Sequence, residues 1–203
     1  MVAQFVQIEA ADRQLLESIS ADMAEAARLS GSWLACRPGC TECCIGPFAI
    51  TQLDALRLRE GLRALQALDP ARAAAVRTRA SSYVSATAAI YPGDPVTGAL
   101  SDEDSLPDAM DELPCPALDP VTGWCDLYSS RPITCRTFGP AVRAGAGTLA
   151  ACELCYSGAT EQEMIRCAVE TDRERLESRI LADLESHGIA GETIVAYALA
   201  LPA

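Results

Sequence analysis

The chain has 203 residues, half of them hydrophobic, and its formal net charge is −12. That length supports one sizeable core, so the chain does not need disulfide staples to fold. The negative charge lacks the basic footprint of a nucleic-acid binder, and the most apolar run is about half of the roughly 20 residues that span a bilayer. We therefore expect a protein that binds neither nucleic acid nor membrane.

Three helices are predicted in the N-terminal half. Apolar residues recur at helical spacing over residues 11–29, and Gly31 is placed to end that helix in a left-handed conformation. A second helix is predicted over 52–68, after a threonine with the character of an N-cap. Asp69 and the proline after it predict the N-cap and first position of a third helix, which runs to about Ile90.

The middle of the chain is rich in turn residues. Residues 91–113 contain seven acidic residues with proline and glycine, which predicts an acidic surface loop. That loop serves either as a solvated linker or as a surface for a protein partner or metal delivery. Residues 119–123 predict a tight reversal whose arms carry Cys115 and Cys125. Residues 145–147 predict a second reversal between two short strands.

The C-terminal part is predicted to be helical. Thr160 with Glu163 and Thr171 with Glu174 have the spacing of capping boxes, each at the start of a helix. The lone histidine, His187, lies at the end of the second of these helices and is expected to interact with its dipole. No alternation of strands and helices is found, so a mainly α fold is favoured over a parallel sheet.

The cysteines form two groups. Four lie within nine residues, and six more follow after a gap of 70 residues. Ten cysteines are about 5% of the chain, below the roughly 8 to 10% of disulfide scaffolds. The first residues do not resemble a signal peptide, so a cytoplasmic location is expected, where clustered cysteines are more often metal ligands than disulfides. The candidate ligands are Cys36, Cys40, Cys43, Cys44, Cys115, Cys125, Cys135, Cys152 and Cys155.

Thiolates select zinc, monovalent copper or iron–sulfur clusters, and zinc and iron–sulfur sites share similar cysteine spacings. Adjacent Cys43 and Cys44 point to opposite sides if the backbone is extended, which assigns them to different centres or to different corners of a cluster. The first three cysteines also have the spacing of the radical S-adenosylmethionine motif, although the β/α barrel of those enzymes is not predicted. Cys167 lies in a helical pattern and is assigned to the core.

Five sequence blocks together resemble a known family. They are Cys36-x3-Cys40-x2-Cys43-Cys44, Ile50-Thr51-x-x-Asp54, Cys115-Pro116-x-Leu118, Gly123-x-Cys125-x-x-Tyr128 and Arg131-Pro132-x-x-Cys135-Arg136-x-Phe138. Over residues 36–155 the chain is similar to the bacterial cysteine-cluster family, the zinc- or iron-chelating domain of CxxCxxCC type. The resemblance implies metal binding through eight cysteines in two four-thiolate centres, with Cys152 or Cys155 as the eighth ligand. One branch of the family is similar to flagellin lysine N-methylases, which makes methyl transfer a candidate chemistry.

Two arginines of the last block have two interpretations. Arg131 and Arg136 either pair with carboxylates and the negative thiolate centre or bind an anionic group of a substrate. Both roles stay open on the sequence alone.

The sequence therefore predicts one mainly α domain over residues 1–203. Its helices surround an irregular cysteine-rich metal-binding core that carries short β-hairpins and holds an iron–sulfur cluster or zinc. Three functions fit this core. The first is a cytoplasmic iron–sulfur protein with a redox or group-transfer role, as an oxidoreductase or a methyltransferase-like enzyme. The others are a zinc-stabilised binding module and an iron or zinc carrier.

Overall fold

The computed structural model describes residues 2–37, 39–101, 106–143 and 149–201, and the side chains from residue 7 onward within them. The described chain is mainly helical with short antiparallel strand pairs, which confirms the predicted fold class. None of the described helices combines the length and the apolar character that a bilayer crossing requires. The helices are α1 (Val2–Ser30), α2 (Gln52–Leu68), α3 (Pro70–Thr87), α4 (Ile133–Thr137), α5 (Glu161–Cys167), α6 (Leu176–Ser186) and α7 (Val195–Ala200). The strands are β1 (Ile50–Thr51), β2 (Val142–Arg143), β3 (Leu149–Ala150) and β4 (Glu192–Thr193).

The chain folds into two compact units. The first unit comprises Met1–Arg37 and Ile133–His187, and the second comprises Pro38–Pro132 and Gly188–Ala203. Each unit is built from segments that are distant in the sequence. The cysteines are therefore divided between the units: the first contains Cys36 and the four from Cys135 onward, and the second contains the remaining five.

The first unit is organised on α1, which contacts α4, α5 and α6. Leu15, Ile19 and Ala26 lie on one face of α1 and are fully buried, as their helical spacing predicts. Gly31 follows the helix with a φ of +50°, a left-handed conformation that costs glycine nothing. In β2 and β3, Val142 pairs with Ala150. The predicted reversal at 145–147 lies outside the described residues.

The second unit is built from α2, α3 and α7, which contact one another. Strand β1 leads directly into α2 and pairs antiparallel with β4, which precedes α7. The Thr51 side chain accepts the backbone N–H of Asp54, and the Asp69 side chain accepts the backbone N–H of Arg72. Both predicted N-caps are therefore confirmed. The third helix ends at Thr87 rather than near Ile90.

The start of α6 differs from the prediction. Thr160 and Glu163 form the predicted capping box of α5. In contrast, the predicted box at Thr171 is wrong, because α6 begins only at Leu176. The Asp172 carboxylate caps this helix instead, accepting the backbone N–H groups of Leu176 at 2.6 Å and Glu177 at 3.0 Å.

Replacing Asp172 with alanine should lower the free energy of unfolding by about 1 kcal/mol, because two backbone donors lose their acceptor. Urea unfolding followed by circular dichroism measures this. Thr171→Ala is the matched control and should change stability by less than about 0.5 kcal/mol. Equal losses of stability in the two variants would show that Thr171 contributes to the cap as much as Asp172 does.

Candidate metal centre

In the second unit the two cysteine regions meet through their backbones. The carbonyl of Cys44 accepts the N–H of Cys115 at 2.7 Å, and the N–H of Gly46 donates to the carbonyl of Leu113 at 3.0 Å. Between these bonds Ile45 forms an antiparallel bridge. The 70-residue gap is therefore closed by a short, register-specific backbone pairing. The predicted meeting of these two regions is found here.

Cys115 and Cys125 lie on the two arms of a hairpin, as predicted. Leu118 forms an antiparallel bridge with Cys125, and the N–H of Asp119 donates to the carbonyl of Trp124 at 2.9 Å. The reversal places Gly123 at a φ of +70°, which a side chain would strain. The hairpin therefore carries both thiols on the two arms of one reversal.

Both hairpin thiols accept hydrogen bonds from backbone N–H groups two or three residues further on. Burial raises the pKa of Cys115 to about 12, although the N–H groups of Ala117 and Leu118 donate to its sulfur. Burial also raises the pKa of Cys125, although the N–H of Leu127 donates to its sulfur and acts in the opposite direction. Backbone donors aimed at a sulfur stabilise a thiolate, and they are a means by which proteins tune thiolate-bound metal centres. Both turns thus carry donors suited to a thiolate ligand.

Cys43 and Cys44 are joined by a hydrogen bond between their side chains. This bond lowers the pKa of Cys43 to about 6 and raises the pKa of Cys44, since one sulfur accepts and the other donates. The expectation that the two side chains point to opposite sides is wrong, because Glu42–Cys44 forms a turn of 3-10 helix rather than extended backbone. Adjacent side chains diverge by only about 120° in that helix. Both thiols therefore belong to one group.

Charge also links the thiols of the second unit. The sulfur of Cys44 is close enough to Cys43, Cys115 and Cys125 for their negative charges to raise its pKa further, after its hydrogen bond and burial. We call Cys43, Cys44, Cys115 and Cys125 the second-unit thiol group. Cys40 is half-buried in the same unit, four residues before Cys44.

Arg131 lies beside this group. Its guanidinium carbon lies 3.8 Å from the centroid of the Tyr128 ring, and Nη1 donates to the Tyr128 carbonyl at 3.0 Å. From this position its positive charge favours the thiolate forms of Cys43 and Cys125. Its predicted pairing with a thiolate centre stays a prediction. Arg136 lies in the last turn of α4 in the first unit, and an anion-binding role for either arginine stays a prediction.

Two arginines of α3 fasten the hairpin to the helix. Asp126, which follows Cys125, has a side chain only 2% exposed and forms ion pairs with Arg72 and Arg79. Arg79 also donates through Nε to the carbonyl of Pro116 at 2.8 Å, one residue after Cys115. We call Arg72, Arg79 and Asp126 the α3 clasp. It holds both thiol-bearing arms at once, and sequence analysis missed it because its partners are about 50 residues apart.

The first unit gathers a second set of thiols around Gly139. A Cβ at Gly139 would lie 3.5 Å from that of Cys36, and the carbonyl of Gly139 accepts the N–H of Cys152 at 3.1 Å. Cys152 and Cys155 form one turn, with an N–H to carbonyl bond of 2.9 Å. Cys135 lies in α4, just before Gly139. We call Cys36, Cys135, Cys152 and Cys155 the first-unit thiol group.

Tyr156 holds the Cys152–Cys155 turn against α1. Its N–H donates to the Trp33 carbonyl at 2.8 Å, and its hydroxyl lies 2.5 Å from Oγ of Ser30. The same hydroxyl accepts the backbone N–H of Ala141 at 2.9 Å. Burial of this network fixes the position of the neighbouring thiols.

Two residues were predicted to lie outside the ligand set. Cys167 is buried at the end of α5, with its sulfur 3.3 Å from the carbonyl of Leu29, which confirms its assignment to the core. Nδ1 of His187 lies 2.7 Å from the carbonyl of Asp183 in the last turn of α6, as expected for a helix-terminal histidine.

The thiols form two groups, one in each unit. Within the described parts of the chain, no three cysteine, histidine, aspartate or glutamate side chains are gathered closely enough to hold a metal ion as they stand. The donor chemistry nevertheless fits zinc or an iron–sulfur cluster, because each unit holds at least four thiols.

Residues 35–156 match the CxxCxxCC family, described as "Putative zinc- or iron-chelating domain". This match covers more than half of the chain. The protein belongs to the CxxCxxCC family. No curated protein and no solved structure matches the chain. Its membership supports metal binding with zinc or iron, as the sequence predicted, and the matched residues coincide within one residue with the predicted region 36–155. The relation to flagellin methylases and a bacterial origin stay predictions.

The α3 clasp should be required for a stable hairpin. Asp126→Asn removes the charge from a buried acceptor of two guanidinium groups and should lower the free energy of unfolding by about 2 kcal/mol. Arg72 is 45% exposed in its side chain, so Arg72→Ala should cost about 1 kcal/mol or less. Urea unfolding of the two variants tests this order, and a larger loss from Arg72→Ala would contradict it.

Proposed function

We propose that this CxxCxxCC protein is an iron–sulfur protein with a redox role and that the second-unit thiol group holds its cluster. The observation that carries the proposal is the contact between Cys43 and Cys44 in the group that includes both hairpin thiols. Cys43 and Cys44 are adjacent and in contact, so both can serve as ligands in one group. A cluster offers them separate iron corners.

The surroundings of this group also favour a cluster. A four-thiolate iron–sulfur centre carries net negative charge, and nearby cations and hydrogen bonds to its sulfurs adjust the reduction potential. Arg131 supplies the cation, and the N–H groups beyond Cys115 and Cys125 supply the hydrogen bonds. This environment suits a centre whose charge changes when it accepts an electron.

Binding requires the thiols to move closer together than they stand. Thiolates repel one another unless a cation lies between them, and burial further disfavours the ionised form. A bound cluster removes both costs, so convergence and ionisation are expected to accompany binding. Cys43, Cys44, Cys115 and Cys125 would then act as the ligands.

A set closed by four thiolates leaves no coordination position for a substrate. This favours electron transfer over group transfer, and hence a redox role over methyl transfer.

The first-unit thiol group favours a different role. Cys152-x2-Cys155 has the short spacing that is common in structural zinc sites, and both residues are buried beside Trp33 and Tyr156. Cys36 and Cys135 would complete a four-thiolate zinc site that stabilises the unit. This is the zinc-stabilised module predicted from the sequence, confined to one half of the molecule.

Anaerobic purification followed by measurement of iron, zinc, acid-labile sulfide and visible absorption tests the proposal. Brown protein with iron and sulfide is expected. Cys125→Ser replaces a soft ligand with a hard one and should reduce iron and sulfide severalfold and lower the thermal midpoint. Cys155→Ser should reduce zinc rather than iron.

Cys167→Ser is the matched control, since that thiol is buried like that of Cys155 but bonded to a backbone carbonyl. It should leave the iron, sulfide and zinc contents unchanged. Colourless protein with stoichiometric zinc and no sulfide would replace the iron–sulfur proposal with zinc in both units. Equal metal content in Cys125→Ser and Cys167→Ser would contradict a metal site in the second unit.

A further inference from the structure

The hydroxyl of Tyr83 on α3 is buried and makes no hydrogen bond to any described residue. A buried polar group without a partner costs about 1 to 3 kcal/mol. Proteins retain such groups rarely, and an individual case calls for a specific explanation.

Tyr83 lines a small cavity of about 20 Å³ together with Cys115. The other lining residues, which include Phe48, Leu113, Pro116 and Ile194, have apolar side chains. Tyr83 and Cys115 are therefore the lining residues whose side chains carry a polar atom. The space is sufficient for about one water molecule, so it leaves room for the hydroxyl to reach the sulfur directly or through one water.

The acceptor strength of Cys115 depends on its ionisation. A thiol sulfur is a weak acceptor, whereas a thiolate attracts strong, charge-assisted hydrogen bonds. A protonated Cys115 is therefore a weak acceptor for the Tyr83 hydroxyl. Once Cys115 becomes a metal ligand, its sulfur carries negative charge inside an apolar cavity, where a further donor is most valuable.

We infer that Tyr83 is a positioning residue for Cys115, donating its hydroxyl hydrogen to the Cys115 thiolate when the second-unit thiol group holds metal. The inference rests on the proposed second-unit site. Tyr83 stabilises the bound thiolate, slows metal release and reduces the electron density on the sulfur. It also explains why a phenol, rather than phenylalanine, occupies an otherwise apolar wall.

The test uses full-length protein loaded with cobalt(II), which is spectroscopically visible in thiolate sites. Tyr83→Phe removes the hydroxyl oxygen and keeps the aromatic ring. Loss of a hydrogen bond raises the energy of the sulfur lone pairs, so the sulfur-to-cobalt charge-transfer band should shift to longer wavelength. Transfer of cobalt to an excess of chelator should become about 10-fold faster, the size expected for an outer-shell partner of a metal ligand.

Tyr197→Phe is the matched control. Its hydroxyl is also buried without a described partner, but Tyr197 stacks on Tyr91 with ring centroids 4.0 Å apart and does not line the cavity. This variant should keep the wild-type band and release rate. Unchanged band and rate in Tyr83→Phe, with full cobalt content, would overturn the role of Tyr83 and leave the metal site intact. Failure of the wild type to bind cobalt through Cys115 and Cys125 would instead overturn the site itself.

Discussion

The second unit depends on the backbone pairing between Cys44 and Cys115. That hydrogen bond of 2.7 Å closes a long loop and, with the bridge at Ile45, sets the register between the first cysteine turn and the start of the hairpin. Loop closure costs entropy, but the cost grows only slowly with loop length. A short pairing supported by packed helices can therefore hold the turn even though it provides few hydrogen bonds of its own.

Helix α3 supplies that support through two side chains. Arg79 binds the hairpin at Asp126 and Pro116, and Tyr83, one turn further along the same helix, lies in the cavity beside Cys115. Residues four apart share a helix face, so a single rigid element fixes both the backbone and the polar surroundings of one thiol. The acidic residue after Cys125 is thus structural. Its negative charge is compensated by Arg72 and Arg79.

The features that sequence analysis predicted correctly are local. The caps at Thr51, Asp69 and Thr160 depend on a side chain and a backbone donor three residues away, so spacing alone identifies them. The prediction at Thr171 failed because Asp172, in a left-handed conformation, accepts the backbone N–H at the start of α6 instead. The sequence around Asp172 does not indicate its left-handed conformation, so spacing alone could not place the start of α6 at Leu176.

The grouping of the cysteines shows the same limit of prediction from local sequence. Ligand type followed from composition, whereas the division into two groups depends on where the chain crosses from one unit to the other, after Arg37 and after Pro132. One crossing separates Cys36 from the other cysteines of its motif. Spacing within the motif cannot indicate this, since it describes distance along the chain only. In a chain of net charge −12, ionised sulfurs can share a small volume only around a cation.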